Sequence, residues 1–228
     1  MDSDSKTQSE QLQELIFGYR FCEDCDLHKT RGRLVHGGGS ADASVLVVLD
    51  RLSPKSNLTG GLLSGGEGAV LRGLVKTIGP RLDIPIKADY FWFTPVVVCP
   101  PPTPTNSFGD SEVLPLAKTC EWRACQKRLH QEIYIVEPKV IIACGATALK
   151  SLFVKTAPPI TSVRGRMSEA EVQGMLVPYK LPLMTTHSMH ELHRNRNDAA
   201  LWSRILEHFT VAVNVAERLK ALEEKADG

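Results

Sequence analysis

Three apolar runs constrain this chain more than any other feature: "SVLVVL" (44–49), "YFWFTPVVV" (90–98) and "KVIIACG" (139–145). A strand with one wet face alternates apolar and polar residues, whereas one that is apolar throughout needs cover on both faces. The segments between these runs have helical spacing. "EGAVLRGLVKTIG" puts Val70, Leu71, Leu74 and Ile78 on one side, with Gly79 as its stop. Residues 110–138 are mostly helical, with Pro115 at a start or a kink. "ATALKSLF" (146–153) is a further helix, and "VPYKLPLMTTH" (177–187) is a last strand that ends at His187. Residues 197–225 form a long terminal helix begun by an Asn or Asp cap. This alternation predicts an α/β fold: a three-layer α/β/α sandwich around a central, mostly parallel four-stranded sheet.

The length of 228 residues and a 43% hydrophobic content suit a single domain over 12–228, preceded by a disordered tail over 1–11. A short helix in "SEQLQELIFGYRF" leads into Cys22, and residues 50–68 are a long Gly/Ser-rich loop. The 27 Lys plus Arg against 26 Asp plus Glu exclude a polybasic tail or an acidic solvating chain. They leave DNA binding open, because a local basic patch carries phosphate contacts. No apolar run approaches the length of a membrane span, and "MDSDSKTQSEQ" lacks the order of a signal peptide. The expected location is intracellular, in the cytoplasm or at the nucleoid. There, six cysteines are thiols or metal ligands rather than disulfides.

"CEDC" (22–25) is the strongest local motif. Two thiolates three positions apart hold one metal or cluster, or form a redox pair, although a redox pair usually follows a strand and opens a helix. Cys99 stands at a strand end beside "PPP", Cys120 and Cys125 lie on different faces of the next helix, and Cys144 is a small buried residue within a strand. Two local and two distant thiols close a tetrahedral site, and sulfur ligands select zinc or iron–sulfur.

At the level of whole segments the chain resembles the family-four uracil-DNA glycosylases, which carry a [4Fe-4S] cluster. "CEDCDLHKTRGRLVHGGG" is similar to that family's opening, "FTPVVVCPPP" to its Asn-bearing strand and Cys-Arg-Pro-Pro, and "CQKRLHQEIYIVEPKVIIACGATALKSL" to its second distant cysteine and following strand. "VRGR" (163–166) and "LMTTHSMHEL" match its closing segments, keeping the His and losing Pro-Ser. The resemblance spans about residues 12 to 200. It implies the fold, DNA as a partner, and Cys22, Cys25, Cys99 and Cys125 as ligands of an architectural cluster. Zinc is the alternative metal and Cys120 the alternative to Cys125.

The same resemblance assigns a site, and the chain departs from it. The family's water-positioning Glu falls at Asp50 or Arg51, its stacking Phe at Leu63 and its base-reading Asn at Pro95. Only the closing His is kept, as His187. With Asn106 of the polar "TNSFGD" loop, Leu63 and Pro95 make up the implied base pocket, and Asp50 and His187 are the implied catalytic pair. Leucine has no π-face and proline has neither a polar side chain nor an N–H. Two readings follow: a pocket rebuilt for another base, such as a modified pyrimidine, or a DNA-binding scaffold without catalysis. A noncatalytic subunit of a protein assembly is a third, with the apolar C-terminal helix as the surface for a protein partner. Lys29, Arg31 and Arg33 are either a solvated basic row or contacts to the DNA backbone. His190 and His193 suggest only a weak metal pair, and "GGGS" (37–40) only a weak anion cradle.

Overall fold

The computed structural model describes residues 6–82, 90–102 and 115–226. Its elements in chain order are α1 (Gln8–Gly18), β1 (Gly38–Gly39), β2 (Val45–Leu49), α2 (Pro54–Thr59), α3 (Gly66–Leu82), β3 (Phe91–Pro95) and α4 (Thr119–Val136). They continue with β4 (Val140–Cys144), α5 (Ala146–Ser151), α6 (Ile160–Val163), β5 (Met167–Gln173), β6 (Pro178–Thr186), α7 (Met189–Arg194) and α8 (Ala199–Ala226).

The sheet runs β1-β3-β2-β4-β6-β5. Its inner four strands are parallel: Leu49 pairs with both Pro95 and Cys144, and Cys144 pairs with Thr186. The apolar runs are buried as expected, every residue of β2, β3 and β4 included, but strand in the second run stops at Pro95 and leaves the buried Val96, Val97 and Val98 outside it. One apolar cluster packs α1, α4 and α5 on one face through Leu12, Leu129, Ile133 and Leu149. A second packs α3, α7 and α8 on the other through Leu71, Leu74, Leu192, Ile205 and Phe209. Three layers are therefore present.

The sheet has six strands rather than four, because two antiparallel edges flank the parallel core. β5 reads "MSEAEVQ" and buries only Ala170 and Val172. Edge strands need no continuous apolar run, so this one carried little signal. β1 is two glycines that pair with Trp92 and Phe93, so "GGGS" is used as sheet edge. The tail expected over 1–11 gives way to helix at Gln8, because Thr7 and Glu10 cap α1 reciprocally. α2 interrupts the expected 50–68 loop, with Ser53 as cap and a proline in its first turn. α3 runs through Gly79 and Pro80 to Leu82 instead of stopping at Gly79. α4 starts at Thr119, four residues past Pro115. The cap of α8 is Asp198, whose carboxylate accepts the Leu201 N–H at 2.9 Å.

Candidate functional site

Parallel register sets the site. One residue beyond the aligned ends of β2, β4 and β6 stand Asp50, Gly145 and His187, with Pro95 ending β3 beside them. In open α/β sheets, ligands bind at the carboxyl ends of the strands. Asp50 is 7% exposed and His187 is 9% exposed. The Ser188 hydroxyl donates to Asp50 Oδ1 at 2.8 Å. Gly145 has φ +97°, and a Cβ there would collide with Asp50 Oδ2, so the carboxylate fits only against glycine. Burial pushes the Asp50 pKa up to about 6, outweighing the Ser188 hydrogen bond and the Arg51 charge that favour ionisation.

His187 Nδ1 lies 3.0 Å from Glu191 Oε2, one helical turn along. The approach is close but not an aligned hydrogen bond, and Nδ1 has no hydrogen-bond partner among the described residues. Behind it, Thr186 Oγ1 and His208 Nδ1 are 2.8 Å apart. Burial lowers the His208 pKa, and the His187 charge lowers it further. His190 Nδ1 pairs with Glu67 at 3.2 Å, and the His193 ring lies directly against Gly66. These two histidines join α7 to α3 rather than pointing at a shared metal.

The implied base pocket divides. Leu63 is partly buried against the apolar cluster of α3 and α8, and its carbonyl accepts Arg72 Nη1 at 2.6 Å. Pro95 is buried, and its carbonyl accepts Arg128 Nη2 at 2.5 Å. Asn106 lies outside the described residues.

On the α4 face, Cys99 is buried, Cys22, Cys25 and Cys125 are partly buried, and Cys120 is exposed. Burial raises the thiol pKa of Cys22, Cys25 and Cys99, and the Cys125 charge adds to it in all three. Arg31 ties the region together, donating to the Cys22 carbonyl at 2.9 Å and to Cys99 Sγ at 3.4 Å. Among the described residues, no three His, Cys, Asp or Glu side chains are gathered closely enough to hold a metal as they stand.

The basic row is not uniform. Arg31 faces the cysteines, Lys29 is exposed and paired with Asp26 at 2.6 Å, and Arg33 is exposed. No helix among the described residues is long and apolar enough to cross a membrane.

Sequence reasoning missed Ser188, Glu191, Glu67 and His208. Glu191 had a readable signal, since it follows His187 by four positions, one turn into the short helix that begins after Ser188. Glu67 meets His190 across 123 residues, and no local pattern announces that pair.

The model of the uracil DNA glycosylase superfamily matches residues 36–210, which include every strand end just described. The chain belongs to that superfamily. Within it, the chain stands with the type-4 uracil-DNA glycosylases. It is 30% identical over 171 residues to the Pyrobaculum aerophilum enzyme, covering 74% of this chain and 78% of that protein. It is 31% identical over 160 residues to the Thermotoga maritima enzyme, covering 68% and 73%. Against the Archaeoglobus fulgidus enzyme it is 25% identical over 171 residues, covering 74% and 78%.

Proposed function

We propose that this protein is a DNA-binding, iron–sulfur member of the superfamily that does not excise ordinary uracil efficiently. The observation that carries the reading is Pro95. It ends a buried strand beside Asp50, where the resemblance places a base-reading Asn. A proline side chain makes no hydrogen bond to a base edge, and each missing bidentate pair costs about 1–3 kcal/mol of discrimination. Leu63 in place of an aromatic ring forgoes stacking worth about 1–3 kcal/mol per base in single-strand binders. Together these deficits correspond to about a hundredfold or more in uracil release.

Cys22, Cys25, Cys99 and Cys125 would hold the cluster. Their all-sulfur chemistry fits [4Fe-4S] or, second, zinc. Cys125 is partly buried and, like Cys25, packs against the apolar cluster that includes Cys99, whereas Cys120 is exposed, which supports this ligand set over one containing Cys120. The cluster's contribution is architectural: it ties the N-terminal segment to the end of β3 and to α4. Arg33 and Lys29 are the remaining candidates for phosphate contact, whereas Arg31 serves the cysteine site.

A second reading has its own support. Asp50 and His187 stand on either side of Gly145 at the strand ends, an arrangement that supports breaking an N-glycosidic bond in a modified pyrimidine. In that chemistry, ionised Asp50 accepts a proton from the water that adds to the sugar. His187 stabilises the electron pair that leaves with the base.

Single-turnover cleavage decides between the readings. Oligonucleotides with one uracil, or one of a panel of modified pyrimidines, are incubated with excess protein beside a type-4 enzyme. The expected uracil rate is about a hundredfold or more below the comparator. An equal rate overturns the proposal. Release of one modified base, abolished by His187→Ala, selects the second reading.

A further inference from the structure

A surface groove of about 920 Å³ lies between α1, α4 and the turn joining β5 to β6. β6 runs parallel to β4, so this turn is at the end of the sheet opposite Asp50 and His187. We propose that the groove is a docking site for an acidic peptide segment of a partner protein, carrying apolar anchor residues. The inference is independent of the function proposed above.

Charge is the first argument. Arg123 and Lys127 line the groove four residues apart on α4, and both are exposed. Arg123 rests over the Trp122 ring, and neither side chain has an ion-pair partner among the described residues. Like charges at this helical spacing repel, and an incoming carboxylate relieves that repulsion. The carboxylate in the groove wall, Glu14, is already paired with Lys6 at 2.5 Å. Among the described residues the groove is therefore cationic and uncompensated.

Apolar surface is the second. Leu15, Ile135 and Val154 line the groove, and Met175 overhangs it from the turn. Met175, Leu176 and Val177 are 79%, 92% and 68% exposed. Met175 borders the concavity, and Leu176 and Val177 extend its exposed apolar surface along the turn, as at an interaction surface. Phosphate-rich DNA satisfies the cations but leaves these apolar side chains unused, whereas an acidic segment with apolar anchors satisfies both.

The walls are preformed, which lowers the cost of binding. The Gln126 amide donates to the carbonyls of Ser151 and Phe153 at 3.1 and 2.8 Å. His130 Nδ1 accepts the Gln173 N–H at 3.0 Å, so its other ring nitrogen donates to the Ser151 carbonyl at 2.8 Å. That arrangement fixes a neutral imidazole and pins the β5–β6 turn to α4.

The test uses a displayed library of random 12-residue peptides panned on the full chain, followed by calorimetric titration of the dominant peptide. The expected peptide is acidic with two or more large apolar residues. Its affinity falls about tenfold or more in Arg123→Glu/Lys127→Glu and in Met175→Ser, and stays within about twofold in His187→Ala. All three surface changes are at exposed positions, and a thermal melt checks that the variants remain folded. Failure of any peptide to enrich overturns the proposal, as does enrichment of basic peptides. An affinity indifferent to the charge reversal also overturns it. Displacement of the peptide by a 20-base-pair duplex, lost in the same charge reversal, assigns the cations to DNA and likewise overturns it.

Discussion

Two buried carboxylates, one on α4 and one just past the end of β2, are treated in opposite ways. Glu132 on α4 accepts from Trp92 Nε1 and Thr94 Oγ1, each at 2.7 Å, and pairs with Arg128. Arg128 in turn donates to Thr94 Oγ1 at 2.9 Å and to the Pro95 carbonyl at 2.5 Å. The backbone is shaped around this pair, since a Cβ on Gly37 would collide with Glu132 Oε1. Asp50 accepts from the Ser188 hydroxyl, and burial still holds its pKa near 6. The first carboxylate is an answered charge that orders β3 against α4. The second is a poorly answered charge at the strand ends, and a fold retains such a cost where chemistry uses it. Under the proposed function, Asp50 is the acid–base pole and Pro95 stands where the resemblance implies a base-reading Asn.

The largest expected effect is on the answered side. Glu132→Ala leaves the Arg128 guanidinium buried and unpaired, which costs about 3–5 kcal/mol. Urea denaturation measures it. A loss below about 1 kcal/mol would mean that the network is not what orders this face.

The cysteine prediction sharpens the same contrast, because α4 carries both the network and Cys125. Cys125→Ser should remove the iron and the brown colour of anaerobically prepared protein, while Cys120→Ser keeps both. Iron analysis and the visible spectrum check it. Stoichiometric zinc in a colourless protein would keep the ligand set and replace the metal, and iron lost with Cys120→Ser alone would move the ligand.

The smallest effect concerns the exposed cations. Lys29→Ala/Arg33→Ala should lower the slope of log affinity for duplex DNA against log salt by up to about 2, roughly 0.9 for each phosphate no longer neutralised. The Arg31 side chain sits inside the cysteine site, so its removal should instead reduce stability. An unchanged slope in the double variant would place the phosphate-binding cations elsewhere.

The parallel core was legible because β2, β3 and β4 are buried on both faces and so cannot hide polar residues. β5 was not, because "SEAEVQ" is an edge that water tolerates. The placement of Asp50 and His187 at the strand ends follows from register once the strands are placed. The Arg128–Glu132 pair was invisible, because on a helix it reads as an ordinary surface ion pair four residues apart. Only the sheet packed over it shows that both side chains are 3–4% exposed. The cationic groove escaped notice for the same reason: its walls come from α1, α4 and a turn distant in sequence.

The most direct test of the central claim is the pH dependence of stability for wild type and Asp50→Asn. Asparagine keeps an acceptor for Ser188 and removes the charge. The folded pKa of Asp50, about 6, lies above its ordinary value of 3.8. The folded state therefore holds the proton more tightly, and its advantage is complete below about pH 4 and lost as pH rises through 6. Denaturant midpoints should coincide for the two proteins at pH 4. At pH 7.5 the variant should be more stable by about 1–3 kcal/mol, the upper figure being the full free energy of that displacement. A variant less stable than wild type at pH 7.5, or a difference independent of pH, would contradict the claim that the fold holds Asp50 at a cost.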